Sequence, residues 1–285
     1  MKSTRCFFAS DLHGRVDRYQ KLFAAIEDEH PQAVFLGGDL LPHHWESLLG
    51  SHDFIADVFE PGFRRIRERL TNDVPALFVI LGNDDDRTSE RGFLEGDRAG
   101  LWSYVHERWD SLGDHPVLGY NCVPPTPFLL KDWERYDVSR FTDPGCVSPE
   151  KGQRTVPVDP DAIRFGTIAA DLDRLAGSRD LEDAILLFHS PPYRSALDRA
   201  GLDGQLVDHV PLDVHVGSIA IRRYIEERQP LVTLHGHIHE ASRLTGEWRE
   251  RIGHTHCFTA AHDGPELALV RFDLNDLEIA TRELL

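Results

Sequence analysis

The chain has 285 residues, 41% of them hydrophobic, with a formal net charge of −17, enough apolar material for one large core or two small ones. No apolar run approaches the ~20 residues of a membrane helix, and the acidic balance speaks against general nucleic-acid binding, which rests on a basic surface. The N-terminal apolar stretch is interrupted at Asp11 and His13 and lacks the apolar core of a signal peptide, so a cytoplasmic protein is expected.

The first strand is read from Cys6 to Ser10, ending at Asp11. Val16, Tyr19, Leu22, Phe23 and Ile26 then recur at helical spacing, and His30-Pro31 closes that helix. A second run, Ala33 to Leu36, ends in Gly37-Gly38-Asp39. A helical pattern from Phe54 to Leu70 leads to a third run, Ala76 to Leu81, ending in Gly82-Asn83-Asp84. The runs are short and apolar throughout, as in strands of a largely parallel sheet buried on both faces.

From about Arg87 to Pro160 the pattern loosens, with Pro124, Pro125, Pro127 and Pro144 interleaved with Trp133, Tyr136 and Phe141. The chain is therefore expected to be a single domain over 1–285 with a Pro- and Trp-rich insertion at about 87–160. The insertion is expected to lie over the strand ends, its aromatics either packing or stacking on a nucleobase. A helix is expected near Asp161 to Leu175, a strand from Ala184 to Phe188 ending at His189, and a helix from Ile219 to Gln229. A fifth run, Leu231 to Leu234, leads into His235-Gly236-His237-Ile238-His239, and two alternating segments at the C-terminus read as a strand pair. The cysteines, Cys6, Cys122, Cys146 and Cys257, form no CxxC pair. They are expected to stay reduced, with Cys6 and Cys257 as small core residues.

The 16 histidines are the unusual feature, because histidine is the commonest metal ligand. Five apolar runs end in Asp11-x-His13, Gly38-Asp39, Gly82-Asn83-Asp84, His189 and Gly236-His237-x-His239. Ligands in open α/β sheets bind beyond the carboxyl ends of the strands. In an extended segment Asp11 and His13 point the same way, as do His237 and His239. One ion is expected on Asp11, His13, Asp39 and His239, and a second on Asp39, Asn83, His189 and His237, with Asp39 bridging. Mixed nitrogen and oxygen ligands suit Mn, Fe, Co, Ni or Zn more than Ca or Mg. Two such ions ~3.5–4 Å apart activate a shared water as a bridging hydroxide and stabilise an in-line displacement at phosphorus.

The segments DLHG, GGDLL, GNDD, FHSPP and GHIHE, from residue 11 to 240, resemble the signature order of the calcineurin-like metallophosphoesterase superfamily. HVGSIAIRRYIEERQPLVTLHGHIHE further resembles its branch of small bacterial and archaeal phosphoesterases. The resemblance implies an α/β fold, a four-layer α-β-β-α sandwich of two mixed sheets, with two divalent metal ions and hydrolysis of a phosphoester. Many members carry histidine after the asparagine, where it contacts the substrate phosphate; here that position is Asp84. An aspartate beside two cations stays ionised and serves poorly as a general acid. Either another histidine donates the proton, with His43, His44, His215 and His254 as candidates, or the leaving group needs none, or the protein binds metal with little catalysis.

Asp39, Asn83, Asp84 and His44 are accordingly the expected catalytic residues. Arg15, Arg87 and Arg194 follow motifs closely enough to grip a phosphate, and His235 is read as a packing residue. The expected activity is that of a phosphodiesterase on a small phosphorylated metabolite or nucleotide. A phosphomonoesterase and a metal-binding scaffold for protein interaction remain open at this point, as does oligomeric state.

Overall fold

The structure is a computed structural model, and it describes residues 3–43 and 53–285. The three N-terminal apolar runs form β1 (Arg5–Ala9), β2 (Ala33–Gly37) and β3 (Ala76–Ile80), mutually parallel with Cys6 beside Ala33 and Ala33 beside Ala76. β4 (Ser103–Tyr104) extends this sheet in parallel past β3. At its other side the C-terminal pair, β13 (Ala268–Asp273) and β14 (Asp276–Leu284), adds antiparallel strands, giving the order β14-β13-β1-β2-β3-β4.

A second sheet has the order β11-β12-β10-β7-β6-β5. Its parallel centre is β6 (His115–Tyr120), β7 (Ile185–Phe188), β10 (Val232–His235) and β12 (Thr255–Thr259). β5 (Trp109–Leu112) and β11 (Arg249–Ile252) are its antiparallel edges. A small hairpin, β8 (Leu206–Val207) with β9 (Val210–Pro211), stands apart.

Alternation along the strands explains why the runs are apolar throughout. Cys6, Phe8, Phe35, Phe78 and Ile80 of one sheet share a cluster with Ile185, Leu187, Val232, Leu234 and Phe258 of the other. Phe258 and Phe272 meet across the sandwich with ring centroids 5.8 Å apart. The intervening residues, Phe7, Ala9, Val34, Leu36, Leu77 and Val79, face outward into the helical layer. The central strands are thus buried on both faces, and no polar alternation is left to read in them.

Among the described residues the helices are α1 (Val16–Glu29), α2 (Glu60–Leu70), α3 (Glu90–Arg98), α4 (Pro160–Phe165), α5 (Ile168–Ala176), α6 (Ile219–Arg228) and α7 (Ala241–Thr245). α1 stops at His30, which takes the left-handed conformation at φ 50° ahead of Pro31. The helical pattern from Phe54 opens with a π-type turn, Ile55–Phe59, before α2. The helix expected from Asp161 to Leu175 is two helices. Gly166 ends α4 in an extended conformation, and Thr167 Oγ1 caps α5 by accepting from Ala170 N at 3.1 Å.

Within 87–160, residues 90–120 form α3 and the strands β4 to β6, which complete both sheets. Residues 121–159 hold isolated bridges, such as Val123 with Glu134 and Leu130 with Gln153. Asp137 fastens this stretch to the molecule. Its carboxylate accepts from Ser218 Oγ and from the backbone N–H of Ile219 and Ala220, at the start of α6. All four cysteines are free thiols, and Cys6 and Cys257 are fully buried. Among the described residues, no helix is long and apolar enough to cross a membrane.

Candidate metal centre

The carboxyl ends of the central strands of both sheets converge on one cluster of polar side chains. The sheets are tied there by His189, whose Nδ1 donates to Gly37 O at 2.8 Å, while Gly236 N donates to His189 O at 2.9 Å and holds the ends of β10 and β7 together. Glycine is required where the strands turn. A Cβ on Gly82 would lie 2.2 Å from Asp39 Oδ1 and 2.5 Å from His189 Nε2, and one on Gly38 would lie 2.6 Å from His189 Nδ1. A side chain at either position would fill the cradle in which the ligand-type atoms meet.

The geometry that aims these side chains is not extended, contrary to expectation. Asp11, His13, Asp39 and His237 have φ of 56°, 48°, 51° and 74°. Asp11 and His13 converge because the chain turns in the left-handed region just after β1. That turn is tied to the next loop by bonds from Asp11 N to Gly38 O and from His13 N to Asp39 O, both 2.9 Å.

One group of potential ligand atoms comprises Asp11, His13, Asp39 and His239, all within 4.8 Å of one another. His239 Nε2 lies 3.2 Å from Asp11 Oδ1 and 3.1 Å from His13 Nε2. Two imidazole nitrogens facing each other at that distance need a proton or a cation between them. Asp11 is further held by Ser10 Oγ at 2.5 Å and by His237 N at 2.9 Å. Beside this group, His189 Nε2 lies 3.2 Å from Asp39 Oδ2 and 3.1 Å from Asn83 Oδ1. The bond from Nδ1 to Gly37 fixes that ring so that Nε2 faces the cluster. The His237 ring stands 5.3 Å from the His189 ring, centroid to centroid. The structure therefore brings Asp39, Asn83 and His189 together, with His237 at their side.

The electrostatics of the cluster call for positive charge. Burial acts to raise Asp11, but the His239 bond and the neighbouring imidazoles outweigh it and hold the carboxyl at about 2. Burial likewise opposes ionisation of Asp39, yet His189 and His13 keep it far below the usual carboxylate range. Burial works against charge on the histidines too, but the facing carboxylates win and lift both His13 and His189 to about 9. His237 goes the other way, down to about 3, through burial and the charge of His189. Without metal, protons on histidine supply the charge that divalent cations would otherwise provide. Carboxylates, an amide oxygen and imidazoles form a donor set fit for such ions.

Asp84 lies at the exposed lip. It ion-pairs with His43 and lies 3.3 Å from His13 Nδ1. The His43 and His13 rings stack with centroids 5.0 Å apart. His44 lies outside the described residues. His215 is engaged elsewhere, with Asp198 Oδ1 at 2.7 Å, and His254 sits at the turn between β11 and β12. His235 is buried, with Nδ1 2.9 Å from Ser190 O and Nε2 2.8 Å from Thr233 Oγ1. Of the arginines, Arg15 pairs with Asp17 and Arg194 lies over Tyr193, while Arg87 covers the ring of Trp133. Trp133 is 1% exposed and is met edge-on by His106, so it packs and cannot stack on a nucleobase.

Asp85 was not among the residues expected at the site. This fully buried carboxylate accepts from the backbone N–H of Leu40, Leu41 and Gly82, at 2.8 to 3.2 Å, and so binds the Asp39 loop to the Asn83 loop. Burial, then the charge of Asp39, pushes it up to about 7 against the pull of those N–H groups. A signal was present, since Asp85 fills the acidic position that follows G-N-H in the related motif. Arg18, also unexpected, donates to Asp11 O and Gly264 O from behind the cluster.

A family model described as calcineurin-like phosphoesterase matches residues 4–241. Comparison with curated proteins found no match. Among solved structures, the protein TT1561 of Thermus thermophilus is similar at 17% identity, with 99% of each chain covered and a TM-score of 0.57. A dimetal phosphatase from Danio rerio is similar at 13% identity, covering 98% of this chain and 95% of its own, with a TM-score of 0.52. A phosphopantetheinyl hydrolase from Mycobacterium tuberculosis is similar at 12% identity, covering 90% and 89%, with a TM-score of 0.50. With two mixed sheets flanked by helices and an Asp/His cluster where their strand ends meet, the chain belongs to the calcineurin-like phosphoesterase family and is a metal-dependent phosphoesterase that works with divalent ions.

Proposed function

We propose that the chain is a phosphodiesterase acting on a small phosphorylated metabolite or nucleotide. One divalent ion would sit on Asp11, His13, Asp39 and His239, and a second on Asp39, Asn83, His189 and His237, with Asp39 shared. The bound pair would supply a water of lowered pKa and positive charge for the phosphate oxygens. Asn83 would direct its amide at the substrate side of the cluster. His189 would hold its orientation through Gly37.

The observation that carries the diester reading is Asp84, a carboxylate at the lip where many relatives have histidine. A monoester near neutral pH carries close to two negative charges, given a second pKa near ~6, and a diester carries one. A fixed carboxylate beside the phosphate disfavours the dianion more. The proton for the leaving group would come from His43, which Asp84 holds toward the cluster; His44, the expected donor, is not among the described residues. The native metal among Mn, Fe, Co, Ni and Zn is open to direct measurement.

Metal-free protein loaded with Mn, Co, Zn or Ni and assayed on bis-p-nitrophenyl phosphate and p-nitrophenyl phosphate tests this. The diester should be preferred, and Asp84→His should shift the ratio toward the monoester by about tenfold or more, equivalent to ~1.4 kcal/mol. A monoester preference in the unaltered enzyme, or a ratio that Asp84→His leaves unchanged, would overturn the diester reading.

A further inference from the structure

Apart from the metal cluster, the stretch 121–159 helps enclose a cavity of about 300 Å³, at the lower end of the size range of small-molecule sites. None of the residues proposed as metal ligands lines it. Its carboxylates are already engaged. Asp132 accepts from Arg87 N at 2.8 Å and from Thr155 N and Oγ1 at 2.9 and 2.6 Å. Glu134 accepts from Thr126 and pairs with the buried ammonium of Lys131, and Glu107 pairs with Arg174 at 2.7 Å.

Of the cations in the same wall, Lys131 is held by Glu134 and Arg135 pairs with Asp171 at 3.1 Å, but Arg154 and Arg87 are far less engaged. Arg154 gives one bond, to Pro149 O at 2.7 Å, and makes no ion pair among the described residues. Arg87 comes no nearer to Glu90 than 3.5 Å, and its guanidinium lies 5.0 Å from the centroid of the Trp133 ring. Trp133 is 1% exposed, and its indole N–H has no acceptor among the described residues; a buried donor left so costs ~1–3 kcal/mol. His106 accepts from Asn121 N at Nδ1, so its neutral ring carries the proton on Nε2. Burial and the nearby arginines keep that ring neutral, down to about 3.

We infer that this cavity is a second binding site, separate from the metal cluster, for a small organic anion whose carboxylate or phosphate oxygens are gripped by Arg154 and Arg87 and take the Trp133 indole N–H. Two planar guanidinium forks and a fixed N–H suit oxygens that only accept. An amine or a metal cation would find no uncommitted carboxylate among the described residues there. A positive cavity in a chain of net charge −17 also concentrates anions against the field of the surrounding surface.

The test uses the full chain stripped of metal by a chelator, titrated with inorganic phosphate and with malonate, and followed by calorimetry and tryptophan fluorescence. At least one anion should bind saturably at one site, the tighter one telling a phosphate site from a carboxylate site. Arg154→Gln and Trp133→Phe should each weaken binding about tenfold or more, and Trp133→Phe should also lose the fluorescence response. Asp39→Asn, at the metal cluster, should leave the affinity within about twofold. Thermal melts check that each variant folds, and if Trp133→Phe does not, Arg87→Gln takes its place. The inference fails if neither anion saturates below about 10 mM, if Arg154→Gln leaves the affinity unchanged, or if Asp39→Asn abolishes binding.

Discussion

Asp11, His13, Asp39 and His237 all take positive φ, a region that costs ~1–3 kcal/mol for most residues and collects at functional sites. Aspartate and histidine are among the side chains that tolerate it best. The residue types that suit a divalent cation are therefore also those the turns can accommodate. At Asp39 both demands meet. Asp39→Ala should lower metal content from two ions per chain toward none and cut hydrolysis by more than the roughly 10–100-fold typical of residues that only orient ligands, as read by elemental analysis and a diester assay. Asp85 does different work, supplying acceptors for three backbone N–H groups on two loops. Each N–H left buried without an acceptor costs ~1–3 kcal/mol. Asp85→Ala should therefore destabilise the protein by roughly 3 kcal/mol or more in urea unfolding. A loss below about 0.5 kcal/mol would show that water replaces the carboxylate without cost.

At the scale of elements, β1, β2, β3, β7 and β10 could be read from sequence because each is a short apolar run ending in a polar, glycine-marked turn. The seven expected ligand positions follow those runs directly, and the strand ends gather their side chains. β11 and β12 could not be read, because Arg249–Ile252 is three charged residues followed by a single apolar one and Thr255–Thr259 begins on polar ones. Nor could β4 to β6, because β4 is two residues long, β5 is polar at half its positions and β6 opens on His115-Pro116. Residue type alone does not set Asp85 apart from Asp84 and Asp86; its place in the motif marks it, and the packing of two loops gives it its role. Residues 121–159, with few regular hydrogen bonds of their own, depend on anchors such as Asp137. Its carboxylate and Ser218 Oγ together meet the free N–H groups at the start of α6, Ser218 by accepting from Ile221 N at 3.0 Å. Asp137→Ala removes a cap and a tether at once and should cost ~2 kcal/mol. Limited proteolysis should then cut first within 121–159. Unchanged cleavage there would mean that the Lys131–Glu134 pair and the packing of Trp133 hold the stretch without Asp137.

For the whole molecule, the metal cluster couples proton binding to folding and to metal uptake. In metal-free protein His13 and His189 hold their protons up to about 9, against ~6.5 in an unfolded chain. A raised pKa in the folded state means that the two imidazolium groups stabilise the apoprotein fully below ~6.5, and that this contribution is lost as pH rises through about 9. Asp11 has the opposite sense: its stabilisation is present above ~3.8 and is lost as pH falls through about 2. Metal binding needs the imidazoles neutral, so between these limits each ion must displace protons. His239 is also raised, by its bond to Asp11 and the charge there against the effect of burial, and adds to the release. Loading Zn or Mn at pH 7.5 should therefore release about two protons or more per chain. Calorimetry in buffers of different ionisation enthalpy measures that number directly. Apparent metal affinity should also climb with pH until about 9 and then level off. The same metals should raise the melting temperature more at pH 8 than at pH 6, because the protons they compete with are scarcer. A binding enthalpy that does not depend on the buffer would mean that the histidines are neutral before metal arrives, and the carboxylates alone would then carry the charge of the cluster.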